Sequence, residues 1–316
     1  MALEGEDYTS ATAYYKESLG LFQRLGDIRC SLSTLNQLAV SLTFEGKSTE
    51  ALSCADKAER IVSGIKEPTL VADTFAHKGL VTYYSGKLDD VYSYFMRSLT
   101  IYEELGDRHK LPNAYLLLGE VLLHLGHIEE SQIHIQKALA LTQRSSDYFY
   151  LGWALMLTGM AFVFTREYIQ AEKQLQECIE LFSHSGQSRK VSECWSFLSI
   201  IAIRANDPQH ARYFLCNALR LLKDARYLPS VLFVLEATTI YLSRQAALIE
   251  AMELDALVGR YDLLKNSIWV DVVMRQPLRL ATAALSPTII AGAQARGQSL
   301  DLWTTAMRLL AQLAAT

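Results

Sequence analysis

Helix breakers are the scarcest residues in this sequence: six prolines and 16 glycines are spread over 316 positions. That excludes collagen-like and low-complexity chains. Charge of one sign is missing too. Lys and Arg number 30 against 34 Asp and Glu, a net charge of −4. The chain therefore lacks the basic surplus or stripe of a nucleic-acid binder, and it lacks an acidic disordered tail. Cysteine is sparse, odd in number and without any Cys-x-x-Cys pair. Cys30, Cys54, Cys178, Cys194 and Cys216 are expected as reduced thiols of a cytoplasmic protein, several of them small core residues. The first seven residues carry Glu4, Glu6 and Asp7 where a secretory signal would place basic residues and an apolar run. One uncharged stretch approaches bilayer length, the 18 residues from Tyr148 to Thr165. It lies in register with the repeat described next, so a buried helix is expected there and no membrane partner.

What is abundant is periodicity. Gly79, Gly119 and Gly159 stand at equal steps of 40, and the same step reaches Ala39 and Ser199. A second small column reads Ala11, Ala51, Val91, Ser131, Ala171, Ala211 and Ala251. A third reads Ser18, Ala58, Ser98, Ala138, Cys178, Ala218 and Val258. Leu21, Ile61, Ile101, Leu141, Leu181 and Leu221 form a large apolar column, expected to fill the space between neighbouring units. Leu35, Phe75, Tyr115, Leu155, Trp195 and Leu235 form another. Turn residues keep the same phase at Gly46, Gly86, Gly126, Arg166 and Asn206. Each period predicts two helices of roughly 13–16 residues with apolar positions at steps of three and four. Small residues mark close helix crossings, where a bulky side chain would force the axes apart. One such pair cannot bury its own apolar face; stacked pairs can.

Helix ends are marked as well. Gly26, Gly106 and Gly186 follow apolar runs, as a C-terminal cap requires, and Pro68, Pro112 and Pro229 sit near helix starts. The predicted organisation is a solenoid over residues 1–245, beginning with a half repeat at 1–27 and continuing in five to six pairs. Residues 246–316 lose the columns and predict a degenerate last repeat and a helical cap. In that cap Ser299 is expected to cap the last helix, with Leu302, Trp303 and Leu309 buried.

The columns resemble tetratricopeptide repeats. The unit Tyr115-Leu116-Leu117-Leu118-Gly119, followed by Gly126, Ser131 and Ala138, carries the likeness best. The long step is similar to repeats of bacterial STAND-class signalling ATPases and maltose-regulator-type transcriptional regulators. Tyr14 to Asp27 resembles their Y-E-E-S-L-A-L-F-R-E-L-G-D wording, and Ala293 to Asp301 resembles the segment that closes them. The resemblance implies an all-α, right-handed superhelical solenoid of antiparallel helix pairs with a C-terminal helical cap. It implies recognition without catalysis: a sensor region with an ATPase module upstream, or a standalone adaptor that assembles complexes. Its partner would be a protein or peptide in the concave groove, or a small inducer. The family's groove positions map to Asn36, Gln37, Asp73, His77, Tyr83 and Tyr84, then to Asn113, Glu120, His124, Trp153, Met156, Met160 and Phe164, and finally to Glu193, Phe197 and Arg204. Trp153, Met156, Met160 and Phe164 form an apolar stripe suited to a partner's side chains or to the core.

No reactive set competes with this reading. Glu45-Gly46-Lys47-Ser48-Thr49 is like the end of a phosphate loop only superficially: Ser41 stands where its first glycine belongs, and Gly46 is the repeat's turn residue. His124, His127 and His134 would lie on two helices and a turn, so they do not predict a metal centre. Neither a cofactor nor a catalytic residue is expected.

Overall fold

The computed structural model describes residues 8–142, 148–223 and 227–315. The first seven residues, on which the reading of the chain start rests, lie outside it. The described residues form a right-handed superhelical stack of antiparallel helix pairs. A leading helix, α1 (Tyr8–Leu25), is followed by the pairs α2 (Ile28–Phe44) with α3 (Ser48–Val62), α4 (Pro68–Tyr84) with α5 (Leu88–Leu105), and α6 (Leu111–His124) with α7 (Ile128–Thr142). Then come α8 (Tyr148–Thr165) with α9 (Tyr168–His184), α10 (Ser188–Arg204) with α11 (Pro208–Leu221), and α12 (Leu228–Arg244) with α13 (Leu248–Val258).

The small columns are helix crossings. Gly79, Gly119 and Gly159 are buried in the first helices of their pairs. A β-carbon at Gly119 would stand 3.0 Å from Ile135, one at Gly159 would stand 2.8 Å from Leu175, and one at Gly79 would collide with the Phe95 ring. Ser131 answers Gly119 directly, donating its hydroxyl to the Gly119 carbonyl at 2.7 Å. Ala58, Ser98, Ala138, Cys178, Ala218 and Val258 are all buried. The Leu21 column departs from expectation. Leu21 is 46% and Ile61 37% exposed, and the later members are half-buried, because this phase lies at the outer edge of the second helices.

The turn column has a backbone cause. Gly46, Gly86, Gly126, Arg166, Asn206 and Ala246 all take positive φ, between 58° and 79°. After each, the next amide closes back onto a carbonyl five residues earlier, as Lys47 does to Leu42 and Ala247 to Leu242. Asp27 and Asp207 cap the following helices by accepting from the amides of Cys30 and His210.

Past α13 the chain leaves the ruler. A 3₁₀ turn (Asp262–Leu264), the short α14 (Ile268–Val270), a π turn (Asp271–Arg275) and α15 (Gln276–Thr282) form a strap. α16 (Pro287–Ser299) then packs on α13, and α17 (Leu302–Ala315) packs on α11. Gly297 permits that first contact, since a β-carbon there would run into the Glu253 carbonyl of α13. Leu302 and Leu309 are buried and Trp303 is half-buried. The last helix is capped by Asp301, which accepts from the Thr304 amide at 2.8 Å. Ser299 instead closes α16, donating to the Arg296 carbonyl, so the expected cap is displaced by two residues.

Candidate functional site

The first helices of the pairs, α2 to α12, pack side by side and present their inner faces to the centre of the superhelix. The stack curves back on itself there. Arg189 Nη1 at the start of α10 donates to the Tyr8 hydroxyl of α1 at 2.7 Å, across 181 residues, and the Tyr8 and Tyr227 rings lie 6.1 Å apart. Within this closed turn lies a cavity of about 240 Å³. Its walls are Phe44 of α2; Ala76, His77, Leu80, Tyr83 and Tyr84 of α4; Phe95 of α5; and Asn113, Leu117, Glu120 and Val121 of α6. Phe149 and Trp153 of α8, Arg189 and Lys190 of α10, and Tyr227 complete it.

One corner is aromatic. Phe44 lies 5.1 Å from Tyr84 and 5.2 Å from Tyr227, the Tyr84 and Tyr227 hydroxyls meet at 3.3 Å, and the Arg189 guanidinium sits 4.7 Å over the Tyr227 ring. Burial raises the pKa of Tyr83, Tyr84 and Tyr227, so all three phenols stay protonated. The opposite wall is ionic. Glu120 accepts from the Tyr83 hydroxyl at 3.2 Å and from the Trp153 indole at 3.1 Å. Lys190 Nζ lies 3.0 Å from Glu193, which also accepts from Ser230 at 2.7 Å. Burial raises the Glu120 pKa, against the attraction of Lys190. Burial pulls the Lys190 ammonium down, but Glu193 and Glu120 more than offset it and leave its pKa raised. The Asn113 carboxamide, half-buried in the same wall, has no hydrogen-bond partner among the described residues. The wall thus offers a ligand a free amide, a carboxylate and an ammonium beside flat aromatic surface.

The other predicted groove residues are placed differently. Asn36 is buried and bonds to Thr74 between α2 and α4, and Gln37 is 3.1 Å from the His77 ring. Asp73 is engaged by Tyr102 and Lys110. His124 is buried below the cavity, its Nδ1 2.7 Å from Ser267 Oγ. Glu193 is buried behind Lys190. Met156 and Met160 are buried rather than open to the groove, and Phe164 is half-buried. Phe197 is buried against Trp269 at 5.5 Å, and Arg204 donates to the Val273 carbonyl at 2.9 Å. The strap explains the burial of His124, Met160 and Phe197: it lies where an open groove would continue. Trp269 donates to the Met160 carbonyl at 2.9 Å, Asn266 to the Gly86 carbonyl at 2.8 Å, and Arg275 to Glu236 at 2.6 Å.

Sequence reasoning missed Phe44, Leu117, Phe149, Arg189, Lys190 and Tyr227. For Phe44 a signal existed: it stands one repeat step before Tyr84. The helix α8 is long and apolar enough to cross a membrane. Here it packs between α6, α7, α9 and α10, with Leu155, Leu157 and Ala161 buried.

Comparison with known proteins agrees with this architecture. A family model described as tetratricopeptide repeat matches residues 70–144. No curated protein sequence matches the chain. Among solved structures, a Rap protein complexed with Competence and Sporulation Factor is similar at 11% identity and a TM-score of 0.67, covering 98% of this chain and 92% of that one. NprR in complex with its cognate peptide NprX is similar at 11% identity and a TM-score of 0.65, covering 98% and 97%. A STAND protein with a tetratricopeptide repeat sensor, from Pyrococcus horikoshii, is similar at 17% identity and a TM-score of 0.52. That likeness covers 86% of this chain but only 39% of the other. At these identities the likeness establishes a tetratricopeptide-type solenoid.

Proposed function

We propose that this chain is a non-catalytic sensor region whose inner cavity takes a compact ligand, a short peptide or a small inducer, within a larger STAND-type signalling ATPase or transcriptional regulator of the cytoplasm. One observation carries the reading: a cavity with a free Asn113 amide and the charged side chains Glu120 and Lys190, the latter backed by the buried Glu193, closed by the contact of Tyr8 with Arg189 and Tyr227. Its size favours a compact occupant. At about 240 Å³ it lies just under the roughly 300–1,000 Å³ of sites for drug-sized ligands. The strap fills the groove beyond it, which disfavours an extended partner. Similar solenoids solved with a bound factor or a cognate peptide support the ligand class, and the STAND protein with a repeat sensor supports the context.

Sensing follows from where the cavity lies. Its walls come from α2, α4 and α6 on one side and from α8, α10 and Tyr227 on the other. A ligand touching both sides favours the closed turn over an opened one by its difference in affinity for the two. The groups that move charge are already satisfied by each other, which suits recognition and gives no nucleophile with a base at hand.

The test is a thermal-shift and ligand-observed NMR screen of di- and tripeptides and small aromatic amines. Compounds that raise Tm of the natural chain should lose their effect in Leu117→Trp, which fills the cavity. Equal binding to both proteins, or no compact binder at all, overturns the reading. An ATPase module encoded in frame upstream is the matching expectation for the parent protein.

A further inference from the structure

A second cavity, of about 510 Å³, opens where the groove-facing ends of α10 and α12 meet the strap. Three of its lining side chains are arginines, Arg166, Arg204 and Arg244, and none is acidic. The remaining lining is apolar or neutral, with Val272, Pro277 and Leu280 on the strap side. The repeat shows why two of the arginines converge. One phase at the end of the first helices reads Phe44, Tyr84, His124, Phe164, Arg204 and Arg244. Phe44 and Tyr84 at this phase supply aromatic wall to the inner cavity, whereas Arg204 and Arg244 supply cations to the second. Arg166 joins them from the positive-φ turn between α8 and α9.

We propose that this cavity is an anion site for a soluble ligand bearing a phosphoryl group, with Arg166, Arg204 and Arg244 as its guanidinium donors. Several other cations of this protein are matched. Lys190, Arg275, Arg279, Arg296 and Arg308 each reach a carboxylate within 3.0 Å. Arg166 and Arg244 reach none among the described residues, although both are exposed. Arg204 is half-buried and spends one donor on the Val273 carbonyl at 2.9 Å. Burial lowers its pKa, and the positive charges of Arg244 and Arg166 act in the same direction, opposed by Tyr168. The three guanidinium groups share one cavity, and among the described residues that line it none is acidic. A basic residue in the last turn of a helix complements the helix dipole. That accounts for each arginine singly, Arg166 included, since it terminates α8; it does not account for all three lining one cavity that no acidic side chain lines. Guanidinium forks suit oxyanions, and a tetrahedral dianion offers enough lone pairs for three of them. The exposed Leu280 and Val272 would rest against the organic part of the ligand.

The site goes beyond the inner cavity and is tested without it. Isothermal titration of the full chain with pyrophosphate at low ionic strength should show one saturable site. Arg166→Asn with Arg244→Gln should weaken it at least tenfold while leaving Tm in buffer unchanged, since both side chains are exposed. Arg24→Gln with Arg29→Gln, which removes two distant charges, should leave it intact. The proposal is overturned by any of four results: no saturable binding, binding undiminished in the first double variant, equal weakening in the second, or tighter binding of the carboxylate probe citrate. Recruitment to phosphatidic-acid vesicles without pyrophosphate binding would overturn the soluble-ligand assignment.

Discussion

The indole N–H of Trp269 donates to the backbone carbonyl of Met160 at 2.9 Å, across 109 residues of chain. That bond pins the strap to the inner face of α8, where the groove would otherwise stay open. Trp269 is fully buried and also stacks edgewise on Phe197, with ring planes at 75°.

Trp269→Ala should therefore lower stability by about 3–5 kcal/mol, the range for deleting a large core aromatic. Far-UV circular dichroism should retain the helical spectrum, because the pairs do not depend on the strap for their own crossings. A denaturant midpoint unchanged from the natural chain would show that the strap is not packed as described.

Two glycines separate packing from propensity. Gly159→Ala puts a β-carbon 2.8 Å from Leu175 and 3.5 Å from the Ala171 carbonyl. It should destabilise by about 1–3 kcal/mol through overpacking. Gly20→Ala in α1 meets nothing nearer than 4.0 Å and should stabilise by about 0.5–1 kcal/mol through helix propensity. Thermal melts of the two variants should move in opposite directions.

Much of this architecture is legible in the sequence because it is enforced between near neighbours. Gly119 must be small since Ile135, sixteen residues on, crosses there, and Gly126 must turn since α6 ends there. The period of 40 repeats the same local requirement. The candidate site is less legible. Tyr227 and Arg189 reach the cavity only because the superhelix closes onto Tyr8, a consequence of summed rotations that no single repeat displays. Trp269 belongs to no column, and its partners lie far away in sequence. The burial of Met160 could not be read without it. The same closure decides which of the family's groove positions meet the inner cavity: His77, Tyr83, Tyr84, Asn113, Glu120 and Trp153 do, while Asn36 and Glu193 lie behind the wall.

Glu236 and Arg275 form a buried pair joining α12 to the strap, with Glu236 only 1% exposed. Burial lifts the Glu236 pKa to about 7, against the pull of Arg275. Arg275→Leu should cost about 3–5 kcal/mol by stranding the carboxylate, and adding Glu236→Leu should recover most of it. A double-mutant cycle by urea unfolding reads the coupling; additive losses would show that the two side chains do not interact.

His124 gives a pH signature. Burial, reinforced by the Lys190 charge, lowers its pKa to about 4 from an ordinary 6.5. Between those values the unfolded chain holds a proton that the folded chain does not, so stability falls as pH drops from about 6.5 to 4. Glu236, raised in the fold, works the other way as pH rises from about 4.5 to 7. The contribution of His124 is thus the difference between the natural chain and His124→Gln. The variant should lose less stability on acidification over that window. Parallel curves for the two would contradict a neutral buried imidazole.

The strap decides how much of the groove remains for a ligand, so its protection is the most direct measure. Hydrogen exchange of Ser267–Arg275 in the full chain, followed by mass spectrometry, should be slow, comparable with the core of α8. Exchange at the rate of an unprotected loop would leave the groove open along its length and would contradict a compact inner cavity.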